Sequence, residues 1–134
     1  PETGERLAGL LTEDLKGLAD TEEALVKSYA EKMNFSGGNT TIGVVATNAS
    51  LTKPEAAKVA SMAQNGFARA LRPAHTLFDG DTVFAMSTGQ VQADATVVGL
   101  LAARVVERSI VAAVKSARSL CGLKCWADLK GMEG

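Results

Sequence analysis

The chain has 134 residues, 46% of them hydrophobic and only 4% aromatic, which suits one ordinary domain, or a piece of a larger one, with a core of Ala, Val, Leu and Ile. Fourteen basic against fifteen acidic residues leave a net charge of −1, and no Lys/Arg cluster interleaves with aromatic residues, so nothing marks a nucleic-acid binder. The two cysteines, Cys121 and Cys125, miss the redox Cys-x-x-Cys spacing and lack the further Cys or His that a zinc site needs.

Those cysteines read as free thiols on a helix end or tail in a reducing, cytoplasmic compartment. No signal peptide opens the chain. It begins Pro1-Glu2-Thr3 without an initiator methionine, so its natural start is expected upstream. Residues 1–19 are polar and dotted with glycine, with weak helical periodicity around Leu7–Leu11. From Thr21 the pattern sharpens. Thr21 can cap, Glu22 and Glu23 favour a first turn, and Leu25, Val26, Tyr29, Ala30 and Met33 recur at helical spacing. A helix is predicted over about 21–33, then a loop over Asn34–Asn39.

The next stretch, Ser36-Gly37-Gly38-Asn39-Thr40-Thr41, runs into the apolar Ile42-Gly43-Val44-Val45-Ala46. Its glycines free the backbone and deliver two hydroxyl residues to the start of a predicted strand, Thr40–Thr47. β-Branched residues without polar alternation predict a strand covered on both faces. A threonine at a strand mouth can serve as a nucleophile, and cutting the Asn39–Thr40 bond would give Thr40 its own base, a free α-amine. On the local signal alone, hydroxyls in such a place are more often simple β-formers.

After the Asn48–Thr52 turn, Thr52 caps a helix with Pro54 in its first turn. Ala56, Val59, Ala60, Ala63, Phe67, Ala70 and Leu71 form its apolar stripe, whose alanines imply close approach to a sheet, and Pro73 ends it. His75-Thr76-Leu77-Phe78 leads to Asp79-Gly80-Asp81-Thr82, a turn with two carboxylates. A calcium loop is disfavoured there, because the spaced oxygen ligands and terminal Glu are missing. Val83–Thr88 reads as a second buried strand closed by Gly89, and Asp94 or Thr96 starts a long helix to about Ser119. Ala95–Val114 approaches the length of a membrane span, but Arg104, Glu107 and Arg108 interrupt it; a buried helix of a soluble protein is expected. These three side chains read as a solvated or subunit-facing stripe. The Ser36–Gly38 glycines lack the Gly-Lys-Ser/Thr of a phosphate loop. No metal or cofactor is expected. The order helix–strand–helix–strand–helix is an α/β layered pattern. Two strands do not make a stable sheet core, so further strands are expected from upstream sequence or a partner.

Two segments carry a specific resemblance. Gly38-Asn39-Thr40-Thr41-Ile42-Gly43-Val44-Val45-Ala46-Thr47-Asn48-Ala49 resembles the start of the small subunit in the L-aminopeptidase/D-esterase family. So does Arg72-Pro73-Ala74-His75-Thr76 running on to Asp79-Gly80-Asp81-Thr82-Val83-Phe84-Ala85. That family includes the β-peptidyl aminopeptidases and the 6-aminohexanoate-oligomer hydrolase, and the resemblance covers roughly residues 38–115. It implies a precursor that cuts itself once into a large and a small subunit, with the new N-terminus as nucleophile.

By position the cut falls between Asn39 and Thr40, and Thr40 matches the nucleophile. Many relatives have serine after glycine there. The nylon-oligomer branch has threonine after asparagine, as here, while Ile42–Ala49 is closer to the general aminopeptidase type. Residues 1–39 then correspond to the end of the large (α) subunit with the pre-cleavage loop, and residues 40–134 to the small (β) subunit, together part of one domain. Asp79 and Asp81 resemble the acidic pair that orients the nucleophile and its amine. His75, the only histidine, invites a Thr-His-Asp triad, but Pro73 and the family pattern favour a structural hydrogen-bonding role.

The resemblance implies an α/β fold, a layered αββα sandwich of the N-terminal-nucleophile-like type, only part of it encoded in this chain. It also implies assembly into a homo-oligomer of αβ units. Oxyanion donors and further catalytic groups, an asparagine and a lysine or tyrosine among them, would lie in the upstream large subunit. The expected activity is removal of N-terminal residues from peptides, amino-acid amides or related short amides through a Thr40 acyl-enzyme. Two alternatives stand beside it. One is an acyltransferase of the glutamate N-acetyltransferase type, which also cuts itself before a threonine. The other is an inactive structural or assembly module of the same fold.

Overall fold

Helix starts in this chain are set by side chains that satisfy the free amides of a first turn. The computed structural model describes residues 4–30 and 40–130. Its elements are α1 (Thr21–Ala30), β1 (Ile42–Ala49), α2 (Lys53–Ala70), β2 (Thr82–Val91), α3 (Ala95–Ser116) and α4 (Trp126–Lys130). Asp20, rather than Thr21, caps α1: its Oδ1 accepts from the Glu22 and Glu23 amides at 2.9 and 3.1 Å. Of the two candidate caps for α3, Asp94 serves, accepting from Thr96 and Val97. Thr52 caps α2 and forms a reciprocal box with Glu55, whose carboxylate accepts from the Thr52 amide at 2.8 Å.

The chain divides into two compact units, residues 37–109 and residues 1–36 with 110–134. In the second, the weak periodicity near Leu7–Leu11 does not make a helix. Thr12–Gly17 forms a turn instead, closed by a bridge between Leu11 and Leu18, because Thr12 Oγ1 draws in the Gly17 amide at 3.0 Å. Trp126 of α4 packs under the ammonium groups of Lys115 and Lys130, 5.1 and 5.2 Å from its ring centroid. Cys121 and Cys125 are free thiols. The predicted end of the first helix, residues 31–33, and the Asn34–Asn39 loop lie outside the described residues.

In the 37–109 unit, β1 and β2 pair in parallel, with Ile42 opposite Thr82, Val44 opposite Phe84 and Ala46 opposite Met86. The helix α2 is the crossover that a parallel connection requires. Val45, Ala49 and Val83 are buried together with Val59, Ala63 and Phe67 of α2 and Ala102, Ala103 and Val106 of α3. Gly66 permits the close approach of α2 and α3: a Cβ there would stand 2.6 Å from the Ala103 carbonyl oxygen and 2.7 Å from Val106 Cβ.

One strand expectation is met only in part within this chain, and another is corrected. Burial alternates strictly along β1, and Ile42, Val44, Phe84 and Met86 are each at least 56% exposed. The strands are thus apolar on both faces, and among the described residues α2 covers one face while the other is open. Gly89 does not close β2 either. With φ of +70° it lies in a bulge, where the register shifts from Thr47 opposite Ser87 to Ala49 opposite Val91. The pairing then extends to Val91, and the Val91 carbonyl accepts the Ser50 amide at 2.6 Å. The long helix ends at Ser116 rather than Ser119.

Candidate active site

The parallel register brings the mouths of β1 and β2 side by side, so Thr40–Thr41 and Asp79–Asp81 meet although some forty residues separate them. The Thr82 amide donates to the Thr41 carbonyl at 3.0 Å, which fixes the two strand starts together. Asp81 adds a second tie. Its Oδ1 accepts the Thr41 amide at 2.8 Å, and its side chain is only 6% exposed. A carboxylate accepting a backbone N–H in a shielded place is a strong, orienting contact.

Thr40 itself is exposed, with its hydroxyl over Gly80. A Cβ at Gly80 would stand 2.7 Å from Thr40 Oγ1, so the hydroxyl holds this position only over a residue without a side chain. The Gly80 carbonyl accepts the Thr82 hydroxyl at 3.1 Å, which holds this turn against the strand. Asp79 is engaged differently. Its Oδ2 accepts the Thr76 amide at 2.7 Å and the Thr76 hydroxyl at 2.8 Å. The Thr76 hydroxyl, then the Thr76 amide, hold the Asp79 carboxyl below the usual aspartate range. Asp79 thus shapes the loop that presents Gly80 and Asp81. The structure brings Asp81 to the Thr40 backbone neighbourhood and ties Asp79 to Thr76; Asn39 lies outside the described residues.

His75, at φ +58°, lies beside this pair. Its Nε2 is 3.3 Å from the Gln64 carbonyl oxygen and its Nδ1 is 3.7 Å from Asp81 Oδ2. Gln64 belongs to none of the sequence motifs described above. Its amide nitrogen donates to the Asp81 carbonyl at 3.4 Å, and its Oε1 is buried without a partner. The signal was present: Gln64 is a polar residue four after Ala60 and three before Phe67, inside the apolar stripe of α2. Glu107 of the polar stripe on α3 pairs with Arg69 at 3.7 Å, so that stripe is partly an internal contact. Among the described residues no cluster of His, Cys, Asp or Glu could hold a metal ion, and no helix is long and apolar enough to cross a membrane.

Residues 7–125 match peptidase family S58. The chain is similar to an uncharacterized aminopeptidase of Mycobacterium leprae, 42% identical in an alignment that covers 73% of this chain and 31% of that protein. An uncharacterized aminopeptidase of Mycobacterium tuberculosis is 38% identical over 68% of this chain and 31% of its own length. A 6-aminohexanoate-oligomer endohydrolase of a Kocuria species is 31% identical over 66% of this chain and 29% of its own length. The chain thus spans about a third of the length of the relatives it matches.

Proposed function

The chain belongs to peptidase family S58, of the L-aminopeptidase/D-esterase type, and on that premise we propose that it carries the nucleophile of a self-processing aminopeptidase or amidohydrolase. The cut falls at Asn39–Thr40, and Thr40 is the residue it activates. The observation that carries this reading is the placement of the Thr40 hydroxyl against Gly80, with the Asp81 carboxylate bonded to the backbone amide of the following residue, Thr41. A hydroxyl exposed at a strand mouth whose next backbone amide is held by an oriented carboxylate has surroundings that suit a nucleophile.

In processing, Thr40 Oγ attacks the Asn39 carbonyl carbon. The C–N bond to Thr40 breaks as the C–O bond forms, and the hydroxyl proton passes to the departing nitrogen. Water then hydrolyses the ester, releasing the Asn39 carboxylate and restoring the Thr40 hydroxyl beside a free α-amine. That amine, with a pKa of about 7.7–8.0, accepts the hydroxyl proton when Oγ attacks a substrate amide, and returns it to the leaving amine. The resulting acyl-enzyme is hydrolysed in turn. Asp81 orients the strand mouth and favours the ammonium that forms transiently at Thr40. The substrate class is an N-terminal residue of a peptide, an amino-acid amide or a related short amide.

The open apolar face of Ile42, Val44, Phe84 and Met86 supports a layered αββα arrangement, in which a second sheet from the upstream part of the same precursor covers it. Residues 1–39 then end the large subunit and residues 40–134 form the small one. The αβ units assemble into a homo-oligomer. Intact-mass measurement on the full-length protein and its Thr40→Ala variant tests the reading. Two fragments meeting at 39–40 in the wild type, and one uncut chain in the variant, are expected. A single uncut species in the wild type would overturn it.

A further inference from the structure

We infer that His75 is a positioning residue, a ring anchored to the backbone of α2 that holds the Asp81 carboxylate in the orientation the Thr40 site uses. The inference rests on the reading of Thr40 as the nucleophile and Asp81 as its acidic partner. Four observations converge on it. Asp81 is nearly buried, and its Oδ1 is committed to the Thr41 amide. Its Oδ2 faces His75 Nδ1 at 3.7 Å, ion-pair distance for a protonated ring. The far ring nitrogen, Nε2, lies 3.3 Å from the Gln64 carbonyl oxygen. Finally, the ring lies against Phe67, a buried residue of α2, with centroids 6.3 Å apart.

The chemistry of the two acceptors defines the task. A main-chain carbonyl can only accept, so the proton on Nε2 is spent on Gln64. When Nδ1 also carries a proton, the ring presents a donor and a positive charge to Asp81 Oδ2, and a shielded carboxylate gains a partner it otherwise lacks. Gln64 closes the frame, since its side-chain amide holds the Asp81 carbonyl while its own carbonyl holds the ring. Asp81 is thereby located from three sides: its main chain by α2, one carboxylate oxygen by β1 and the other by His75. Without the ring, the carboxylate can rotate off the Thr41 amide. The ring holds a group that acts on the site and does not itself touch Thr40.

The competing role is a plain tether of the 71–80 loop to α2 through Nε2, with no bearing on Asp81. Three substitutions in the full-length protein separate the two. His75→Asn places an amide nitrogen where Nδ1 stands and removes the Nε2 contact. His75→Gln keeps a donor at the Nε2 position. His75→Gly removes both while accepting the positive φ at His75. Asparagine also tolerates that φ well, which makes His75→Asn the variant best suited to fold; failure of it to fold would mean that the tether dominates and would overturn the inference.

The readouts are the first-order rate of cutting at 39–40, and kcat and KM on an amino-acid p-nitroanilide. All are taken well below each variant's thermal midpoint. His75→Asn is expected to keep kcat and cutting within about threefold of wild type, whereas His75→Gln and His75→Gly lose tenfold or more with KM unchanged. Gln retaining activity while Asn behaves like Gly, or equal rates in all three, would overturn the inference. Failure of the underlying reading is visible separately, as an uncut and inactive wild type, and would remove the inference with it.

Discussion

The Asp81 Oδ1 atom lies 2.8 Å from the Thr41 amide nitrogen, joining the turn before β2 to the residue that follows the candidate nucleophile. This one contact divides two aspartates that the Asp-Gly-Asp motif presents as equivalents. Asp81 faces the strand mouth, while Asp79 is taken up by Thr76.

Asp81→Asn is therefore expected to be the more damaging of the two acidic substitutions. Asparagine keeps an acceptor oxygen for the Thr41 amide but removes the negative charge, and the charge-assisted share of such a bond is worth on the order of tenfold in rate. Cutting at 39–40 and kcat should fall by about that much, and Asp79→Asn should cost less. Single-turnover cutting followed by intact mass measures both. Near-wild-type cutting in Asp81→Asn would remove that residue from the mechanism.

Gly80→Ala should disable the site without unfolding the protein. The added methyl would stand 2.7 Å from Thr40 Oγ1, too close for either group to stay in place, so the hydroxyl must shift. Displacement of a reacting atom by about 1 Å costs on the order of a hundredfold. The thermal midpoint should change little, because Gly80 is exposed. Wild-type kcat in this variant would show that the hydroxyl does not need its position over the turn.

The loop that carries these residues should loosen in acid. Thr76 bonds depress the Asp79 carboxyl in the folded state, so its contribution to stability is fully present above the unfolded value of about 3.9. It is lost as pH falls below that value and through the lower folded pKa. Thr76→Val removes the hydroxyl and should raise the Asp79 carboxyl toward the ordinary aspartate range. A carbon-detected NMR titration of Asp79 in both proteins reads this directly, and an unchanged midpoint would contradict the bonding seen here.

Gly66→Ala tests the packing of the scaffold rather than the chemistry. Its Cβ would meet the Ala103 carbonyl at 2.6 Å, backbone that cannot swing aside, and α2 and α3 must separate. Overpacking of this kind costs about 1–3 kcal/mol. The denaturation midpoint should fall accordingly, and an unchanged midpoint would show that the helices cross farther apart.

Local chemistry made much of the scaffold legible in advance. The α2 helix was readable because Thr52, Pro54 and a regular apolar stripe act within a few residues of one another. The α3 helix was readable because Asp94 and a long apolar pattern do the same. Thr40, Asp79 and Asp81 were nameable as candidates from their motifs. Residues 7–11 misled, because a turn held by Thr12 outcompetes a short weak helix. Strand coverage was legible only in part, since an apolar run reports that both faces can be buried and not which neighbour buries them.

By itself, then, the sequence determined the alternation of helices and strands, the membership of peptidase family S58 and the identity of the candidate site residues. Those properties reside in short-range patterns and in the identity of the side chains. Only the tertiary structure decided that Asp81 and not Asp79 reaches the Thr41 amide, that Gly80 lies under the Thr40 hydroxyl, and that Gln64 and His75 frame Asp81. Each of these depends on the parallel register of β1 and β2 and the seating of α2 across them. Apart from His75 and Asp81, which are six positions apart, the contacts join residues 11 to 40 positions apart along the chain, and no local pattern specifies which atoms meet over such separations.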